Sequence, residues 1–225
     1  MADISSSHGW QKIVKSVTGW HMDSDVVPAI VAAGIIYLAI FLIGQFLYQT
    51  TRMLAPAMLR GYILDFVKTM TFCAYPFGHG IMRKYYGEAG YIGAMLPVAF
   101  FSGLAFPMGD GNPITVWMKF FMRGMPLWKC LIKTIVQIGG GFAAFHLGMY
   151  ILSFELHPMF VEKLKDYYSQ FCSTDLKVPV YVGFLIEFVA VIYESWFASQ
   201  KFTGFLHIDE LIKILNCGFL VVGGE

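Results

Sequence analysis

For roughly 20 residues, from position 28 to position 48, the chain carries no charged side chain. That is the length a helix needs to cross a bilayer core of about 30 Å at about 1.5 Å rise per residue. Five further apolar segments follow, at residues 61–81, 91–106, 126–154, 178–197 and 208–222. An open strand at membrane depth would leave its backbone groups unpaired in lipid, so the segments read as helices. Composition agrees: hydrophobic residues make up 57% and charged residues 14%, against roughly 25% charged in a soluble domain. So apolar a surface is not tolerated by a soluble monomer, whereas lipid solvates it. The fold class is therefore an all-α integral membrane protein, with the lipid bilayer as its first partner.

The net charge of +1 and the absence of a basic run give no field for nucleic acid. Cys73, Cys130 and Cys217 fall in apolar stretches and read as small packing residues, while Cys172 lies in a polar loop. No C-x-x-C pair, H-E-x-x-H, G-x-S-x-G or phosphate loop occurs, so neither an enzyme nor a cofactor or metal site is expected. His146 reads as a packed histidine and Gly139-Gly140-Gly141 as a close helix contact. Trp10 and Trp20 suit the membrane interface. Residues 155–177 form the one long charged connection, expected to project from a membrane face. If the segments cross alternately, Arg52, Arg60, Lys119, Arg123, Lys129, Lys133 and Lys201 lie on one side. Lys12, Lys15, Arg83, Lys84, Lys163, Lys165 and Lys177 lie on the other. The tie orients the chain poorly, and the first side is placed in the cytoplasm.

One piece departs from a plain bundle. After the glycines of Met108-Gly109-Asp110-Gly111 comes Asn112-Pro113, then about nine mostly apolar residues, then Arg123-Gly124-Met125-Pro126. Asn is a strong N-cap and Pro suits the first helical position, so a helix starts at Asn112. About ten residues span roughly 15 Å, half a hydrocarbon core. Such a half-helix either lies on the membrane face as an amphipathic connector or dips inward with its positive end at the midplane. An internal echo favours the second: Leu64-Asp65-Phe66-Val67 is repeated as Ile186-Glu187-Phe188-Val189. Each buries a carboxylate in an apolar span, where an ionisable group costs about 2.5–3.5 kcal/mol or more. Two matching contexts suggest a duplicated, inverted half.

These residues resemble the aquaporin, or major intrinsic protein, family, over roughly residues 60–225. Gly111-Asn112-Pro113-Ile114-Thr115 is similar to the first Asn-Pro-Ala box, with Ile114 for alanine, and Asp65 and Glu187 are similar to the buried glutamates that open each half. The tight Asp65-to-Asn112 spacing, the altered box and the extra helix resemble the unorthodox superaquaporin branch. The resemblance implies an inverted-repeat helical bundle with a re-entrant half-helix, preceded by an extra apolar helix. It implies a division into 1–60 (tail and extra helix), 61–154 (first repeat), 155–177 (loop) and 178–225 (incomplete second repeat). It implies a channel for water and small neutral solutes lined by Gly111, Asn112, Pro113 and Ile114. Asn112 would donate to passing water, Gly109 and Gly111 would let the backbone turn, and Asp65 and Glu187 would hold loop backbone groups as structural carboxylates. It implies a homotetramer and an intracellular membrane such as the endoplasmic reticulum. The family's second Asn-Pro box falls past residue 225, so the chain is expected to be C-terminally truncated. Two other readings stand beside the channel: a non-conducting subunit that co-assembles with a full-length channel and regulates it, and a secondary transporter using Glu187.

Overall fold

The computed structural model describes residues 29–156, 158–169, 178–200 and the helical positions 208, 209, 212, 213 and 216. Among them are seven helices: α1 (Ala29–Leu54), α2 (Ala57–Ala74), α3 (Pro76–Ala105), α4 (Pro113–Arg123), α5 (Leu127–Leu152), α6 (Pro158–Ser169) and α7 (Val180–Ser199). Three stretches are long and apolar enough to cross a membrane: Ile30–Leu54, Ala57–Ala105 and Leu127–Leu152. The described chain is thus a helical integral membrane protein. Trp10, Trp20, Cys172 and Cys217, and most of the predicted segment 208–222, lie outside the described residues.

The 49-residue second stretch would be about 74 Å long if straight. It is not straight. The Tyr75 hydroxyl and Ser102 Oγ lie 2.8 Å apart, although 27 residues of one helix would separate them by about 40 Å. The reversal is at Gly87, whose φ of 63° and ψ of −158° leave helical space; a Cβ would be strained there. The stretch is therefore two antiparallel arms, residues 57–86 and 88–105. The predicted segment 61–81 is accordingly redrawn. It begins earlier, at Ala57 after Pro56, and Pro76, lacking an N–H, divides it at Tyr75.

The first helix also outruns its prediction. Gln49 to Arg52 do not stop it, because their polar groups are satisfied within the helix. Thr50 Oγ1 donates to the Phe46 carbonyl at 2.7 Å and Thr51 Oγ1 to that of Leu47 at 2.8 Å. The helix ends at Leu54, ahead of Pro56. The long charged connection is corrected as well. It contains α6, whose Phe160 is fully buried and whose Met159 and Leu164 join the core with Ala144, Ile151 and Leu152. Apolar spacing along an otherwise charged helix draws that face onto the bundle.

Helices α2 and α5 approach closely, and glycine permits it. A Cβ on Gly140 would sit 2.8 Å from the Phe66 carbonyl oxygen of α2, and one on Gly148 would meet the Phe77 ring, at the start of α3, at 2.4 Å. These two glycines lie about two turns apart on one face. Of the expected triplet only Gly140 makes the close contact; around Gly141 there is open space. Cys130 is buried as expected, whereas Cys73 and His146 are exposed. His146 meets only the edge of the Phe145 ring at 6.0 Å. Gly140→Val is expected to destabilise the fold by about 1–3 kcal/mol, while Gly141→Val leaves it within about 0.5 kcal/mol. Thermal unfolding in detergent checks both, and equal midpoints would refute the α2–α5 contact.

Candidate functional site

After Ala105 the chain leaves the helix and crosses the bundle as residues 106–112 before α4 begins. Phe106 anchors the crossing. It is fully buried, with its ring 5.1 Å from that of Tyr48 and 6.1 and 6.2 Å from those of Phe41 and Phe72. Irregular backbone packed among helices must find its hydrogen-bond partners inside the protein. Side chains of three helices supply them. From α1, Gln45 Nε2 donates to the Ala105 carbonyl at 2.8 Å, and the Tyr48 hydroxyl accepts from Met108 N at 2.6 Å. From α2, Lys68 Nζ donates to the Gly109 carbonyl and Thr69 Oγ1 to that of Gly111, both at 3.1 Å. From α5, Gln137 Nε2 donates to the Asp110 carbonyl at 2.8 Å.

An ion network locks the middle of this loop. Asp65 Oδ1 accepts from Asp110 N at 2.6 Å. Lys133 Nζ bridges Asp65 Oδ2 at 2.6 Å and Asp110 Oδ2 at 2.9 Å, and Lys119 pairs with the other Asp110 oxygen. Asp65 is fully buried and Asp110 is 5% exposed. Burial pushes the Asp110 carboxyl up, but its hydrogen bonds to Lys119 and Lys133 outweigh that and hold it below the usual carboxylate range. Gly109 is required twice over. Its φ is 88°, and a Cβ would stand 3.2 Å from both Asp65 Oδ1 and the Leu64 carbonyl. Gly111, expected to turn the backbone in the same way, has no positive φ; it only lies against the Lys68 stem.

Helix α4 starts and stops where its residues predict. Asn112, extended at φ −150° and ψ 157°, accepts at Oδ1 from Thr115 N at 2.9 Å and Thr115 Oγ1 at 2.7 Å. That fixes Oδ1 toward the helix and leaves the Nδ2 donor without a protein acceptor among the described residues. Pro113 occupies the first helical position, and Gly124 closes the helix in the left-handed region at φ 66°. The 11 residues span about 16 Å. Asn112 is exposed, Ile114 is 37% exposed and Val116 is fully buried. Below the loop lies a cleft of about 400 Å³ lined by Arg60, Leu64, Asp65, Met108, Lys119 and Lys133, among others.

The fold thus brings together Asp65 and the Gly111-to-Ile114 box. Glu187 belongs to α7, and its side chain lies outside the described residues. Lys119, Lys133, Gln137, Tyr48 and Asp110 were not anticipated. For Lys133 the signal was a cation inside an apolar segment, which was counted instead as a loop charge.

No family model matches the chain, and no solved structure gives a significant match. It is similar to a curated protein named Aquaporin-11 from Milnesium tardigradum, at 22% identity over 183 residues. The match covers 79% of this chain and 65% of that protein, so the chain spans slightly under two thirds of that relative's length. The likeness is to aquaporin-like chains in general; the unorthodox branch rests on the residues described at the outset.

Removing Lys133 leaves two buried carboxylates facing each other. Lys133→Met is expected to destabilise the protein by about 3–5 kcal/mol. Adding Asp65→Asn should recover part of that loss, because the two sites share a partner. Detergent unfolding of the three variants checks this; strictly additive losses would refute the coupling.

Proposed function

We propose that this chain forms an aquaporin-like membrane channel for water and small neutral solutes, with Asn112, Pro113, Ile114 and Gly111 at its narrow part. The observation that carries this reading is the capped half-helix. Its start is held against the bundle by the preceding loop, and among the described residues the exposed Asn112 Nδ2 donor has no protein acceptor. A water oxygen is the acceptor that such a donor suits, and the positive end of α4 disfavours a cation at the same place. Asp65 acts as a structural carboxylate, holding the Asp110 amide so that the loop presents Asn112 at a fixed depth. The similarity to an aquaporin supports the channel class. A tetramer and an intracellular membrane belong to the same reading, by resemblance.

A second reading is a subunit that co-assembles with a full-length channel and regulates it. The C-terminal end of α4 favours it, because Phe121 and Met122 are 76% and 74% exposed there. Such a face suits a protein partner within the membrane as well as lipid.

Osmotic shrinkage of vesicles containing the purified protein tests the channel. Wild-type vesicles are expected to shrink faster than protein-free ones. Asn112→Asp, which keeps an acceptor for the helix cap and removes the Nδ2 donor, should return the rate to that of protein-free vesicles. A folded wild-type protein with no effect on shrinkage, recovered with a longer relative, would favour the second reading.

A further inference from the structure

The cleft below the loop has donors to spare and no carboxylate oxygen to spare. Its lining includes Arg60, Lys119 and Lys133 against Asp65 and Asp110. Each carboxylate oxygen already accepts a hydrogen bond: those of Asp65 from Asp110 N and Lys133, those of Asp110 from Lys119 and Lys133. Arg60 directs Nε and Nη2 at the Ala55 carbonyl, at 3.3 and 3.1 Å, and makes no ion pair among the described residues. Its Nη1 group is left over. Lys119, with its side chain 34% exposed, has Asp110 as its hydrogen-bond partner, and an ammonium carries further donors. The fully buried Asp65 forms the inner end of the cleft, and exposed Ala57 and half-buried Arg60 form its mouth. That mouth lies about one helical turn from Pro56, where two stretches long enough to cross a membrane meet. Lipid headgroups and the aqueous phase both reach this level.

We propose that this cleft is a binding site for a phosphate group, held by the free edge of the Arg60 guanidinium and by Lys119. A phosphate offers acceptor oxygens and a charge opposite to that of the lining, and a guanidinium meets it with paired N–H donors. A cation would add to the charge already there. The volume of about 400 Å³ is that of a small-ligand site. Arg60 stands on α2 and Lys119 on α4, so a bound phosphate ties these two helices together. Such a site exists whether or not the chain conducts. The phosphate comes from an anionic lipid headgroup or from solution, and the chemistry of capture is the same.

The test titrates the purified protein in neutral detergent with sodium phosphate, against sodium chloride of equal ionic strength, and separately with a short-chain phosphatidic acid. The thermal unfolding midpoint is followed, since a ligand of the folded state raises it in a saturable way. Wild type is expected to show that rise. Arg52→Gln removes an exposed cation near the same turn but outside the cleft, and should bind as wild type does. Arg60→Gln can still donate to the Ala55 carbonyl, and should bind at least about tenfold more weakly. Gly61 lines the cleft with open space around it, so Gly61→Glu fits the helix and should repel the phosphate. If Arg60→Gln does not fold, Gly61→Glu decides. A rise with phosphatidic acid alone assigns the site to a lipid headgroup, and a rise with sodium phosphate places soluble phosphates among its ligands. No saturable rise with either probe, equal weakening by Arg52→Gln and Arg60→Gln, or unchanged binding in Gly61→Glu would overturn the proposal.

Discussion

A backbone segment that leaves helical geometry inside a helical bundle must have its polar groups met by the protein, and the rest of this structure follows from that constraint. Beyond Phe106, whose N–H still donates to the Ser102 carbonyl, residues 107–112 cross the bundle outside helical geometry. Their carbonyls and amides are met by Tyr48 from α1, by Asp65, Lys68 and Thr69 from α2, and by Gln137 from α5, while Gln45 of α1 takes the Ala105 carbonyl at the end of α3. Each of these polar side chains would be costly in an apolar span if it faced lipid. Here each faces the loop. The apparent defects of the spans and the irregular loop are thus one feature, since each satisfies the other.

The ion network gives that arrangement a fixed register. Lys133 joins α5 to α2 through Asp65 and to the loop through Asp110, and Lys119 ties α4 to the same carboxylate. Three helices and the loop therefore meet at two carboxylates. The close approach of α5 to α2 at Gly140 and to α3 at Gly148 lets this happen. Together they set the depth at which Asn112 begins α4. A buried pair of this kind is weak evidence for stability, because desolvation offsets most of the attraction. Its value here is positional.

What was legible in the sequence was what is local. Asn112, Pro113 and Gly124 signal the ends of α4 by their own conformational preferences, and the helix obeys them. Asp65 stood out because a carboxylate in an apolar run needs a reason. The partners of that carboxylate were not legible. Lys133 is 68 residues from Asp65, and nothing in its neighbours separates a bundle cation from a loop cation. The two arms of the second stretch were signalled by Pro76 and Gly87, but an apolar window passes over a proline and a glycine alike. Burial of α6 was missed because its charges outweigh, in a linear count, the few apolar residues that pack. The Glu187 side chain lies outside the described residues.

The central claim is that the first turn of α4 borders a water-filled passage. It is tested most directly by osmotic permeability of vesicles carrying Ile114→Cys, measured before and after a membrane-impermeant thiol reagent, with the unsubstituted protein as control. Modification at position 114 is predicted to lower the permeability of the variant and leave the control unchanged. Complete modification at that position with no change in permeability would contradict the account.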